Sequence, residues 1–308
     1  MDYEDHVFKE AKNSTVPISE TEVDITQDCF DIILTIVGIL GIAFDALLIY
    51  IICYFRKLHT NVNIYLINWS IANIGAVIIT ITCLPIYSTF NNLSLVSVCF
   101  YLSTPFALFF NVIFFMIMLT LDWWFSAFWP GVLEKFREYT KFIIAATWVV
   151  CAIYFVTSAG LCSMSAYYLI FHYTLPLLFT ILIVLVLGLH IVRLIKKRKT
   201  AFEYHPVNLL YIPTGFVCCW FLNWLNIFIP YYSYVYYTLS DVILFLHPIL
   251  NFTLMVVFDD DFKACFLRVV AGFSCVCLKY IPGNSNIRNV NATAMAPPVP
   301  TENGNRYF

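Results

Sequence analysis

Residues 32–57 read IILTIVGILGIAFDALLIYIICYFRK, and the twenty-four residues before the closing pair Arg56-Lys57 carry one charge, Asp45. A bilayer core is about 30 Å thick, and a helix needs about 20 apolar residues to cross it. Six further stretches qualify, near residues 62–86, 96–121, 142–161, 168–192, 207–230 and 235–258. An open sheet is no alternative, because its unpaired backbone groups would find no partners in hydrocarbon. The whole chain agrees: 61% of its 308 residues are apolar, 12% are charged and its mean hydropathy is +0.81. A soluble domain carries about 25% charged residues, so soluble enzymes, secreted disulfide scaffolds and disordered chains are excluded. A net charge of −2 offers no basic surface to nucleic acid. The expected fold class is an all-α integral membrane protein, a seven-transmembrane helix bundle.

The basic residues set the expected orientation. Arg56 and Lys57 lie between spans one and two; Lys135, Arg137 and Lys141 between three and four; Arg193, Lys196, Lys197, Arg198 and Lys199 between five and six. Lys263, Arg268, Lys279, Arg288 and Arg306 follow span seven, while the loops after spans two, four and six hold no Lys or Arg. All 15 basic residues beyond the N-terminal tail therefore share one side, which the positive-inside rule assigns to the cytoplasm. The expected location is the plasma membrane, multi-pass, with the N-terminus extracellular. Residues 1–31 form an acidic tail of nine acids and two lysines. No apolar run precedes Ile32, so the first span is expected to act as its own targeting signal. The sequons at Asn13 and Asn92 fall outside and are glycosylation candidates, whereas those at Asn251 and Asn291 fall in a span and in the cytoplasmic tail. Beyond the transmembrane residues 32–258, residues 259–282 read as a juxtamembrane segment and 283–308 as a disordered tail rich in Asn and Pro.

Cys99 opens span three and Cys162 follows span four, both on the oxidising side where a disulfide persists. Cys29 is a rival partner. Cys275 and Cys277 follow an amphipathic stretch on the inner side and are palmitoylation candidates, with idle reduced thiols as the plain alternative. Within the spans the acids are Asp45, Asp122 and Asp241, with no Lys or Arg. An intramembrane acid marks function by default. No zinc spacing, catalytic triad or phosphate loop occurs, so neither a cofactor nor an enzymatic activity is expected.

The run Phe55-Arg56-Lys57-Leu58-His59-Thr60-Asn61-Val62-Asn63-Ile64-Tyr65-Leu66-Ile67-Asn68 resembles the first inner loop and second helix of rhodopsin-like (class A) G-protein-coupled receptors, above all peptide receptors. Other landmarks follow in order. Asp122 with Pro130 resembles the Asp-Arg-Tyr motif and the second-loop proline, Trp148 the helix-four tryptophan, Pro176 the helix-five proline, Cys219-Trp220 the helix-six pair, and Pro248 the proline of Asn-Pro-x-x-Tyr. The run from Asp259 resembles the short amphipathic eighth helix, and Cys99 and Cys162 match the family's helix-three-to-loop disulfide. The resemblance covers roughly residues 32–275 and implies an extracellular ligand, with a heterotrimeric G protein or arrestin as inner partners.

The departures are as specific. Ile42 stands for the helix-one Asn, Asn73 for the helix-two Asp, Trp123 and Trp124 for the motif Arg and Tyr, Leu222 for the helix-six Pro, and His247 and Asn251 for the helix-seven Asn and Tyr. Asp45 lies one turn from Ile42, and the resemblance, which brings these helix faces together, implies that the family's carboxylate is moved to helix one and that Asp45, Asn73 and His247 form one polar cluster. The family's amine acid is Pro105 here, and its retinal lysine aligns near Asp241, which disfavours amines and retinal. The expected function is a cell-surface receptor for an extracellular peptide or small molecule that signals inward. Asp241, Trp220, Asn223 and Tyr237 are its cavity candidates, and Asp122, Trp123 and Trp124 its inner motif. A non-signalling scaffold or decoy and an odorant-type chemoreceptor are the alternatives. A transporter ranks lower, because the inward polar residues Asn68, Asn73, Asn111, Asn223, Asn226 and Asn251 lack paired charges.

Overall fold

The computed structural model describes residues 20–89, 95–163, 167–197, 210–226 and 234–279, and no strand occurs among them. The helices are α1 (Glu20–Tyr54), α2 (Asn61–Thr89), α3 (Leu95–Phe128), α4 (Pro130–Glu138), α5 (Thr140–Ser163), α6 (Tyr167–Lys197), α7 (Tyr211–Leu225), α8 (Tyr234–Phe245), α9 (His247–Phe258) and α10 (Asp260–Lys279). A single 3-10 turn, Arg56–Leu58, links α1 to α2. Two compact units divide the chain, Met1–Lys263 and Ala264–Phe308, and the first holds α1 to α9.

Helices are what these apolar runs must form, since only an internally bonded backbone is stable in lipid. Their hydroxyls obey the same constraint. Thr120 donates to the Met116 carbonyl and Thr147 to that of Ile143, at 2.7 and 2.8 Å, so neither hydroxyl lacks an acceptor. Six helical segments among the described residues are long and apolar enough to cross a bilayer: Cys29–Tyr54, Asn61–Thr82, Val96–Phe128, Thr140–Cys162, Thr174–Ile195 and Leu239–Phe258. Of the expected span 207–230 the structure describes α7, whose 15 residues reach about 22 Å, short of a full crossing; residues 207–209 and 227–233 lie outside the described residues. Pro130 lies in the loop between α3 and α5 and starts the short helix α4 there. The expected span 235–258 differs: it is two helices, α8 and α9, broken at Leu246.

Pro248 causes that break. It lacks the N–H that would bond the carbonyl four residues back, at Leu244. The His247 ring fills the gap: its Nδ1 hydrogen-bonds that carbonyl.

Helix α3 runs through the middle, touching α2, α4, α5, α6 and α7, while α1 packs on α2, α8 and α9, and α9 returns to α7. The result is a closed ring around α3. Small residues permit its closest approaches; a Cβ on Gly38 would come within 2.6 Å of Ile81, and one on Gly41 within 3.3 Å of Pro248. Polarity is inverted relative to a soluble protein. Phe142 and Leu194 are 72% and 68% exposed, whereas Ser70, Asn73, Asn111, Ser240 and His247 are fully buried. That is the pattern lipid requires.

Cys99 and Cys162 are joined, with Cα atoms 5.6 Å apart, and Cys29 is a free, exposed thiol. The bridge ties the start of α3 to the end of α5 and defines a disulfide end opposite the basic loops. Replacing Cys99 or Cys162 by Ser is expected to lower surface expression equally, with the double change no worse than either single one. Additive losses would show that the bridge does not form in the cell.

Candidate functional site

Three groups of polar side chains lie along the ring, two in its interior and one at its basic end. Towards the disulfide end, α7 and α8 face each other through two polar pairs. The Asn223 Nδ2 donates to Asp241 Oδ1 at 2.6 Å, and the Asn226 Nδ2 donates to the Ser240 hydroxyl at 2.6 Å. The Asn226 Oδ1 is buried with no hydrogen-bond partner among the described residues. Below these pairs lies an aromatic floor. Trp220 sits 5.3 Å from Phe109 of α3 and 6.2 Å from Phe179 of α6, and Trp224 is 6.2 Å from the same Phe179. Trp220, Asn223 and Trp224 recur at helical spacing on one face of α7. Three of the four expected cavity residues, Asp241, Trp220 and Asn223, are thus brought together; the side chain of Tyr237 lies outside the described residues.

At mid-depth, Asp45 of α1 accepts hydrogen bonds from two α2 side chains, Asn73 Nδ2 at 2.6 Å and the Ser70 hydroxyl at 3.0 Å. Both carboxylate oxygens are engaged. His247 bonds elsewhere. Its one hydrogen bond among the described residues goes to the Leu244 carbonyl, and its ring lies edge-on to Trp69, Phe216 and Trp220 at centroid distances of 5.4, 5.3 and 6.1 Å. The single cluster of Asp45, Asn73 and His247 expected from sequence is therefore an α1–α2 pair beside a separately anchored histidine. The physical reason is local: the acceptor left vacant by Pro248 lies three residues from His247, so the ring satisfies its own helix.

At the basic end, Asp122 meets Arg137 in a two-bond fork, Nε to Oδ1 at 3.0 Å and Nη2 to Oδ2 at 2.9 Å. These bonds hold the guanidinium more firmly in its charged form. Trp123 is half-buried. Trp124 donates its Nε1–H to the Leu185 carbonyl at 3.0 Å and lies in a notch of α6, where a Cβ on Gly188 would come within 2.7 Å of the indole. A cavity of about 480 Å³ opens nearby, lined by Lys57, Asn61, Asn63, Arg137, Asp259 and Asp261 among others. The Lys57–Asp261 pair spans it at 2.6 Å.

Several partners escaped the sequence reading. Ser70 sits one turn before Asn73, a legible spacing. Arg137 and Gly188 carry no such signal, because their roles depend on how α4 and α6 pack on α3. Asn13 and Asn92 lie outside the described residues, as do the side chains of Cys275 and Cys277 on α10. No group of three metal-ligating side chains occurs among the described residues. Trp148 of α5 donates to Asn68 of α2 at 3.1 Å, tying two landmark positions together. No family model and no curated protein matches the chain.

Proposed function

We propose that the chain is a divergent seven-transmembrane receptor of the rhodopsin-like type, with α7 as part of its sixth span and α8–α9 as its seventh. It sits in the plasma membrane with the N-terminus outside, and α10 serves as its eighth helix. The single observation that carries the reading is the polar and aromatic site formed by Asp241, Asn223, Trp220 and Phe179 at the disulfide end, where three helices converge beside an Asn226 oxygen that has no partner among the described residues. The Trp148–Asn68 bond and the Cys99–Cys162 bridge support the helix order on which it depends. An extracellular peptide or small molecule binds at that end, and relative movement of α6 and α7 alters the cavity at the basic end, where a G protein or arrestin would dock. A screen of peptides and small molecules with a promiscuous signalling readout tests this reading; a hit that raises nucleotide exchange supports it.

One observation favours a second reading, a scaffold or decoy that binds without signalling. Trp123 occupies the place of the family's arginine, and Asp122 is fully engaged by Arg137. Ligand binding with no nucleotide exchange on any G protein would select it. Orientation has its own test. A tag at residue 1 is expected to label on intact cells and one at residue 308 only after permeabilisation. Labelling of both without permeabilisation would show an even number of spans.

A further inference from the structure

The described residues provide no cation for Asp241. There is no Lys or Arg between residues 58 and 134, 142 and 192, or 200 and 262. The ion pairs among the described residues are Lys57–Asp261 and Arg137–Asp122, both at the opposite end of the ring. Asp241 is half-buried and receives one side-chain hydrogen bond, from Asn223 to Oδ1. A carboxylate removed from water with one neutral donor is under-compensated. Beside it, Asn226 spends its donor on Ser240 and leaves a buried carbonyl oxygen without a partner among the described residues.

The surroundings favour positive charge in a second way. Trp220 and Trp224 flank Asn223 on the same face of α7, and Phe109 and Phe179 close the floor from α3 and α6. Indole and phenyl faces attract an ammonium or guanidinium, more strongly once water is excluded. A carboxylate with no cation among the described residues, an amide oxygen with no partner among them and an aromatic floor together make a site rich in acceptors, and the donor it does hold, the buried Trp220 Nε1–H, is neutral and brings no positive charge to match an anion.

We infer that this site takes the positively charged group of the ligand, with Asp241 as its anchor and Asn226 Oδ1 as a second acceptor. The inference rests on the receptor reading and specifies its ligand as cationic. The absence of an acid at Pro105 disfavours an amine held from α3, whereas Asp241 would hold an amine or guanidinium from α8, whether it arrives on a small molecule or on a peptide side chain. An acidic peptide would set like charge against Asp241.

The test uses the purified full-length protein in nanodiscs and measures thermal stabilisation. Phenethylamine is compared with its neutral counterpart 2-phenylethanol, and acetyl-arginine amide with acetyl-citrulline amide. Stabilisation by at least one cation of a pair, but not by its neutral counterpart, is expected. The amine and arginine arms then identify the small-molecule and peptide sources respectively. Asp241→Asn keeps an oxygen for the Asn223 donor, so the fold is retained, and it should weaken the active cation at least about tenfold. Equal stabilisation by charged and neutral partners, indifference of Asp241→Asn, or no saturable effect of either cation up to about 10 mM would overturn the inference. None of these outcomes depends on signalling. Failure of the receptor reading shows up separately, as cation binding at Asp241 with no cytoplasmic response.

Discussion

Asn73→Asp is expected to destabilise the helical ring by about 3 kcal/mol, and adding Asp45→Asn to the same chain is expected to return most of that loss. In the native protein the Asn73 amide donates to Asp45 Oδ2 at 2.6 Å, and Ser70 covers Oδ1. Asn73→Asp removes that donor and sets a second carboxylate at the same separation, with no basic side chain among residues 32–55 or 62–86 to offset it. Like charges at that distance repel strongly where water is excluded. The exchange Asp45→Asn/Asn73→Asp places the amide on α1 and the acid on α2, so one N–H···O contact re-forms between the helices. The thermal unfolding midpoint in nanodiscs reads both steps. A double variant no more stable than Asn73→Asp alone would mean that the pair does not face itself across α1 and α2.

His247 provides the internal control. Because its Nδ1 is committed to the Leu244 carbonyl, Asp45→Asn and His247→Asn should couple less than Asp45→Asn and Asn73→Asp. A larger coupling would restore the single three-residue cluster that the family resemblance implies.

Much of the fold was legible because lipid leaves few choices. Any apolar run of the length of residues 32–55 must be helical, so the helical class and most span positions follow from composition and spacing. The disulfide was legible too, since Cys99 and Cys162 fall at span ends on the side without basic residues. What composition does not encode is the pairing across the interior. Asn226 and Ser240 are ordinary polar residues until α7 and α8 are placed side by side, and His247 is expected beside Asp45 only because the family resemblance brings their helix faces together. Pro248 was visible in the sequence, but its consequence, an acceptor that captures the neighbouring imidazole, appears only when the Leu246 break is in place. The aromatic floor was hidden in the same way: with 18% aromatic residues, no single Phe or Trp stands out until Phe109, Phe179 and Trp220 are found together.

The partner of Asp122 was the least legible and carries the second large effect. Arg137→Ala is expected to cost about 2–4 kcal/mol and to lower surface expression. The Asp122 side chain is 3% exposed while that of Arg137 is 43% exposed, so the two ends of the fork are not equivalent. Removing the guanidinium strands a buried carboxylate; removing the carboxylate by Asp122→Asn leaves an arginine that water can reach, and should cost less, about 1 kcal/mol. Arg137→Lys keeps the charge and loses the fork, which places it between the two. The double change Arg137→Ala/Asp122→Ala removes the stranded charge along with its partner and should be more stable than Arg137→Ala alone. This order follows from burial and would not arise from charge count, since Arg137→Ala and Asp122→Asn each remove one unit of opposite sign. The Arg137 backbone carbonyl also receives the Thr140 hydroxyl at 2.8 Å, a contact that every side-chain variant leaves intact, so the loss reports on the fork itself. Were Asp122→Asn found to be the more damaging single change, the buried carboxylate would have to be held by donors other than Arg137, and α4 would be released from its role of bringing that arginine back to α3.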